Sequence, residues 1–368
     1  MLSIRTLPAA TLALTVVLAG CLDGTGLSDD PFDPSASAAD LLAVQSAFAA
    51  SVFESLSVSS GNFNQVADTG AAPAALLQAS FGVASATGHW EATAVAQAFA
   101  AGPAAGPLVP VDFLGRTYDR DANGYRHNPD RTDAPANGVR FILYEVDPVT
   151  RDIGSTEIGY VDILDESTDL AYVARVKVVT SGVVRIDYTV SAVVGVQTLT
   201  LTVSGFIGDG TDQVDIDLSM SFVNDAPVSV VTVEHLIAVP TRDFVVDATV
   251  VLTHNDETQQ GSVDVDASFM QGMHTVTVVG VINCSEGDLP SEGGSFAISV
   301  DGQLFTTITV DGGTTTVQNS TGGELTSGEA QAVRNIFDHL KALFDERFED
   351  FVRPVRWMFD GARSAGAA

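Results

Sequence analysis

The stretch Val214-Asp215-Ile216-Asp217-Leu218-Ser219-Met220-Ser221-Phe222 decides the fold. Apolar and polar residues alternate along its whole length. That is the period of a half-buried β-strand, in which successive side chains point to opposite faces. The same alternation recurs in Leu199/Leu201/Val203 against Thr198/Thr200/Thr202/Ser204, and in Val263/Val265/Ala267/Phe269 against Asp264/Asp266/Ser268. Turn-forming groups separate the runs: Gly208-Asp209-Gly210, Asn224-Asp225-Ala226-Pro227 and Asp311-Gly312-Gly313. From Phe113 to about Val317 the pattern yields roughly a dozen strands, joined by connections too short for crossover helices. An antiparallel meander follows, apolar on one face and Asp-, Ser- and Thr-rich on the face that meets water.

Helical periodicity flanks this region. Ser37 reads as an N-cap, and Leu41, Val44, Gln45, Phe48, Val52 and Leu56 make a stripe over Ala38–Leu56. Ala-rich stretches at Pro73–Val83 and Glu91–Ala101 read as two more short helices, ended by the Gly- and Pro-rich run from Gly102 to Pro110. After Gly328 the period is helical again. Val333, Ile336, Phe337, Leu340, Leu343, Phe344, Phe348, Phe351 and Val352 form a wide apolar stripe, with Ser327 as the expected cap and Pro354 as an interruption. The expected organisation is a helical segment at 38–110, the meander at 111–320 and a C-terminal helix within 325–360, with 38–360 forming one domain.

A dozen strands about 4.8 Å apart would make a flat sheet roughly 60 Å wide, and sheets of that size twist and curl. A helix of about 24 residues is roughly 36 Å long and fits inside such a curl. The expected fold class is therefore mainly β with flanking helices (α+β). It comprises a large curved antiparallel β-meander, a half-barrel or barrel, wrapped around the C-terminal amphipathic helix. In architecture, though not in any sequence motif, this resembles the half-barrel of LolA-like envelope lipid-binding proteins.

The N-terminus carries a second resemblance. Arg5 precedes a short apolar run from Leu7 to Leu18 that ends in Leu18-Ala19-Gly20-Cys21. The run has the length of a signal-peptide core and is short for a membrane span. The tetrapeptide resembles the lipobox of bacterial lipoproteins, a likeness confined to about the first two dozen residues. It implies a signal peptide at 1–20, cleavage before Cys21, and acyl chains on that cysteine, two or three of which anchor stably. Residues 21–37, rich in Gly, Ser, Asp and Pro, read as a flexible tether. Leu22 rather than an acid follows Cys21, which by analogy with enterobacterial sorting implies the outer membrane of the cell envelope.

Composition narrows the partners. The net charge is −30, from 47 acidic and 17 basic residues, and Lys177 and Lys341 are the two lysines. Such a chain repels nucleic acid and anionic headgroups. With Cys21 acylated, Cys284 is left without a disulfide partner and reads as an unreactive thiol. The segment from Asp119 to Asp130 has the spacing of a calcium loop, resembling EF-hand and dockerin-type loops. Asp119, Asp121, Asn123, Tyr125 and Asp130 would be the Ca2+ ligands, with Gly124 at the sharp turn. Arg126 stands where those families place an apolar residue, and no helix flanks the segment, so a β-hairpin turn is the simpler reading. The histidines are scattered: His235, His254 and His274 fall about twenty residues apart without the spacing of a zinc site, and His339 lies beside Leu340 in the C-terminal helix. The sequence holds no nucleophile elbow, phosphate loop or dinucleotide fingerprint. The expectation is a non-enzymatic, membrane-anchored envelope lipoprotein whose curved sheet binds a hydrophobic ligand such as a lipid. The alternatives are a structural or adhesive cell-surface protein and a lipidated outer-membrane β-barrel.

Overall fold

The structure is a computed structural model. It describes residues 44, 50–60, 63, 108–109, 111–121, 124–195, 197–258, 260–285, 288–311, 314–331, 333–334, 351 and 354–355. The expected signal peptide, the tether, the helices at 73–83 and 91–101, and most of the C-terminal helix lie outside these residues.

The chain is mainly β. Its strands are β1 (Arg116–Asp121), β2 (Gly124–His127), β3 (Gly138–Val146), β4 (Ile153–Asp165), β5 (Tyr172–Thr180), β6 (Val183–Val194), β7 (Thr198–Gly208), β8 (Gln213–Asp225), β9 (Val228–Val239), β10 (Phe244–Asn255), β11 (Gln260–Gln271), β12 (His274–Ser285), β13 (Asp288–Val300), β14 (Gln303–Asp311) and β15 (Thr314–Asn319). They form one sheet of 15 strands in the order β15-β14-β13-β12-β11-β10-β9-β8-β7-β6-β5-β4-β3-β1-β2. The order is sequential from β3 onward, as a meander of short hairpins requires. It is also open, with β15 and β2 at its two ends, so the expectation of a closed barrel is corrected.

One pairing departs from the antiparallel pattern. β1 runs parallel to β3, with Arg116 opposite Val139 and Tyr118 opposite Phe141. Parallel neighbours need a long return connection. Here the four-residue β2 and the loop after it carry the chain back, a use of this segment that the alternation does not reveal.

Two compact units divide the described residues: 44–217 with 351–355, and 218–334. In the first, helix α1 (Ser51–Ser60) packs on β3 and β4. It runs past the expected end at Leu56, and Ala50 forms a bend just ahead of it, so the single helix read over 38–56 is interrupted there. No Gly or Pro marks that bend. Phe53 of α1 meets the ring of Phe351 edge-on, with centroids 5.7 Å apart, and Phe351 meets Tyr188 of β6 at 5.3 Å. The Tyr188 hydroxyl donates to the Phe351 carbonyl at 2.9 Å, so this residue of the C-terminal helix is buried against the sheet. Phe63 stacks on Phe141 of β3 at 4.0 Å, and Tyr118 and Tyr125 pack around the pair.

The second unit shows the alternation in its simplest form. Val246 and Ala248 of β10, Val265 and Ala267 of β11, Val276 and Val278 of β12, Ile298 of β13 and Ile308 of β14 are buried on one face. Asp247, Asp264 and Asp266 point out to water from the strands between. Val333, from the start of the C-terminal helix, joins this apolar cluster. That helix begins one residue earlier than expected. The Glu329 carboxylate accepts the Thr326 amide at 2.6 Å, and the Thr326 hydroxyl accepts the Glu329 amide at 3.3 Å. The pair is a capping box, so Thr326 rather than Ser327 is the cap.

Tight turns hold the register. Gly272-Met273 joins β11 to β12 and Asp301-Gly302 joins β13 to β14, each through two residues. Asp301 (φ 50°) and Gly302 (φ 76°) both take the left-handed conformation that such hairpins demand.

Candidate functional site

Leu18, Ala19, Gly20 and Cys21 lie outside the described residues, as does Asn123 of the candidate calcium loop. The rest of that loop is a β-hairpin. Asp119 pairs with Arg126 in the ladder, Arg120 with Tyr125, and Asp121 with Gly124. The carboxylates of Asp119 and Asp121 already have cationic or amide partners. Asp119 accepts from the Asn128 side-chain amide at 2.6 Å and lies 3.2 Å from Arg131. Asp121 pairs with Arg126 at 2.8 Å. Tyr125 is turned inward, its hydroxyl donating to the Ile142 carbonyl at 2.9 Å, and burial pushes its ionisation well above the usual phenol range. Asp130 is exposed, and its amide donates to the Asn128 side chain at 2.9 Å. Among the described residues no group of three or more His, Cys, Asp or Glu side chains is placed to hold a metal ion.

The histidines are likewise apart. His235 lies on the buried row of β9, opposite Ala248. His254 on β10 is 3.3 Å from Asp256, and His274 at the start of β12 is 2.9 Å from Asp301. Cys284 lies on β12, opposite Gly261 in the ladder.

The first unit contains a set of arginine–acid pairs that the alternation does not announce. Arg140 of β3 grips Asp162 of β4 with two bonds of 2.7 and 2.9 Å, reaches Asp133 at 2.7 Å, and lies 3.7 Å over the ring of Tyr160. Arg175 of β5 holds Asp187 of β6 by two bonds of 2.7 and 2.8 Å. Arg131 holds Glu157 of β4 by bonds of 3.2 and 2.8 Å. Forked pairs of this kind fix geometry as well as charge. Each guanidinium is matched by carboxylates of its own unit, which makes these pairs strand fasteners. The one sequence signal for them is a charged residue inside an apolar strand, as Arg140 is in Gly138-Val139-Arg140-Phe141-Ile142-Leu143.

What remains as a site is the apolar sheet face of the second unit. Around its buried cluster stand Val250, Leu252, Phe269, Val300, Phe305, Val317 and Leu325, packed against the core but only half-buried. Apolar side chains on a broad sheet face, with no ionisable group among them, can hold hydrocarbon and can do no acid–base chemistry. His235 is the titratable neighbour of this face, and burial pushes its imidazole down to about 4, so it is neutral at ordinary pH.

No protein family, curated protein or solved structure matches this chain.

Proposed function

We propose that this chain is a membrane-anchored envelope lipoprotein, held by acyl chains on Cys21, whose apolar sheet face carries a hydrophobic ligand of the acyl-lipid class. The observation that carries the ligand half is the ring of half-buried apolar side chains from Val250 to Leu325 around the core of the second unit. The anchor half is supported by the lipobox-like Leu18-Ala19-Gly20-Cys21 at the end of a short apolar run. The two halves fit one another: a protein living on a bilayer has acyl lipid at hand, and the acidic outer face keeps the globule in water. Among the described residues no helix is long and apolar enough to cross a membrane, so the reading assigns attachment to the cysteine.

The anchor is tested by fractionation. The full chain made in a bacterium is expected in the membrane pellet, with a mass at its N-terminal peptide that accounts for acylated Cys21. Cys21→Ser should move it to the soluble fraction. Retention of Cys21→Ser in washed membranes would sink this half of the reading.

A further inference from the structure

The two ends of the sheet in the second unit differ in chemistry. Register places the turns 240–243, 272–273 and 301–302 at one end. Phe244 is opposite both Val239 and Gln271, Gln271 is opposite His274, and Val300 is opposite Gln303. The Gly272 amide donates to the Asp243 carbonyl at 3.0 Å and the Asp301 amide to the Thr275 carbonyl at 2.8 Å, so these turns are neighbours in space. The turn 226–227, residues 256–258, the end of β14 and the start of β15 lie at the opposite end.

The first end is apolar for a surface so acidic overall. Met273 stands at the tip of its hairpin with 95% of its surface exposed. Met270, Leu236 and Leu304 are exposed on the outward side of β11, β9 and β14, the strands that lead into these turns. These four are most of the six large apolar side chains that the second unit exposes among its described residues, the others being Val223 and Val279. This end is less acidic than the other, although Asp247 lies exposed opposite Leu236. Arg242 and Asp243 are both exposed, and Asp301 is paired with His274 at 2.9 Å, which holds its carboxyl below the usual range. The opposite end instead carries Asp225, Asp256, Glu257 and Asp311, all exposed.

We infer that the turn carrying Met273, with the strand end that carries Leu304, is a membrane-resting surface: this end of the sheet sits on the headgroup region of the bilayer while the acidic end faces away. The occupant is a lipid surface because both halves of the asymmetry point to it. Exposed unbranched and branched apolar tips partition into the interface, and anionic headgroups repel the end bearing four acids. A tether that brings the globule to the bilayer makes even weak tip insertion effective, since it turns binding into a local event. This inference rests on the acylation of Cys21 proposed above.

The test uses the full lipidated chain in vesicles of phosphatidylethanolamine and phosphatidylglycerol with bromine on the acyl chains. Tryptophan is introduced by Met273→Trp or, as the control at the other end, Glu257→Trp, and the signal of Trp90 and Trp357 is subtracted using the unsubstituted chain. Quenching of the Met273→Trp signal at least twofold, with the Glu257→Trp signal unchanged, is the expected result. Adding Leu304→Asp to Met273→Trp should reduce that quenching. Equal quenching at both positions, or none at either, in protein that still floats with the vesicles overturns the inference and leaves the anchor reading standing. Failure to float at all overturns the anchor reading and this one with it.

Discussion

His235 shows what one buried polar side chain costs in an apolar row. It faces inward from β9 with Ala248 directly opposite, so the small residue makes room for the ring. Burial disfavours the charged imidazolium and sets the folded value at about 4, against about 6.5 in an unfolded chain. Between these values the unfolded state binds a proton that the folded state does not. Stability therefore rises with pH across this window, and is lost as pH falls from about 6.5 toward 4. The full loss from this one group is up to about 3 kcal/mol. Urea unfolding at pH 7 and pH 5 should show the unsubstituted chain losing roughly 2 kcal/mol more than His235→Phe. Equal losses in the two proteins would mean that the imidazole is not held neutral by burial. The buried Arg140–Asp162 pair is a contrasting case, because each charge there is fully matched. The sequence marked His235 only as one of several scattered histidines, because a lone histidine does not announce which face of its strand it occupies. Alternation could not locate the Arg140 pair, because a cross-strand partner depends on register, which a single strand does not encode.

At the scale of elements, strand packing depends on where glycine is placed opposite an aromatic ring. Gly280 of β12 faces Phe296 of β13, which is almost wholly buried, and a methyl added at Gly280 would come within 2.5 Å of that ring and 2.6 Å of its Cα. The first unit repeats the device with Tyr188 of β6 opposite Gly205 of β7, which has a φ of 147°. In both places the glycine leaves the space that lets a large ring lie along the sheet. Gly280→Ala should destabilise the chain by about 2 kcal/mol or more, since overpacking a strand pair forces backbone shifts. Its measure is the denaturant midpoint, and an unchanged midpoint would show that the pair has room to spare. Strands such as β8 and β11 were legible from alternation because they have one wet and one dry face, whereas β3 is buried on both faces from Gly138 to Leu143. The parallel β1–β3 pair was not legible, since the loop between β2 and β3 that completes the return carries no periodic signal. The cap at Thr326 was missed by one residue because Ser327 offers the same hydroxyl, and the position of Glu329 decides between them.

At the scale of the whole chain the 15 strands follow an open order, and each unit has an apolar sheet face of its own. The core of each unit takes part of it: Phe351 is buried against Tyr188 in the first, and Val333 joins the cluster in the second. The C-terminal stripe read from sequence thus meets the sheet at its described positions. Alternation marks the apolar side chains of a strand but carries no signal for a ligand, because a core position and a lining position call for the same residue types. The half-buried side chains from Val250 to Leu325 are the proposed seat of an acyl lipid. The most direct test is mass spectrometry of the organic extract from Cys21→Ser protein purified without detergent, paired with displacement of a fluorescent fatty acid. Co-purified acyl lipid near one molecule per chain, exchangeable with the probe, is the predicted result. A lipid-free extract together with no binding of the probe would contradict it.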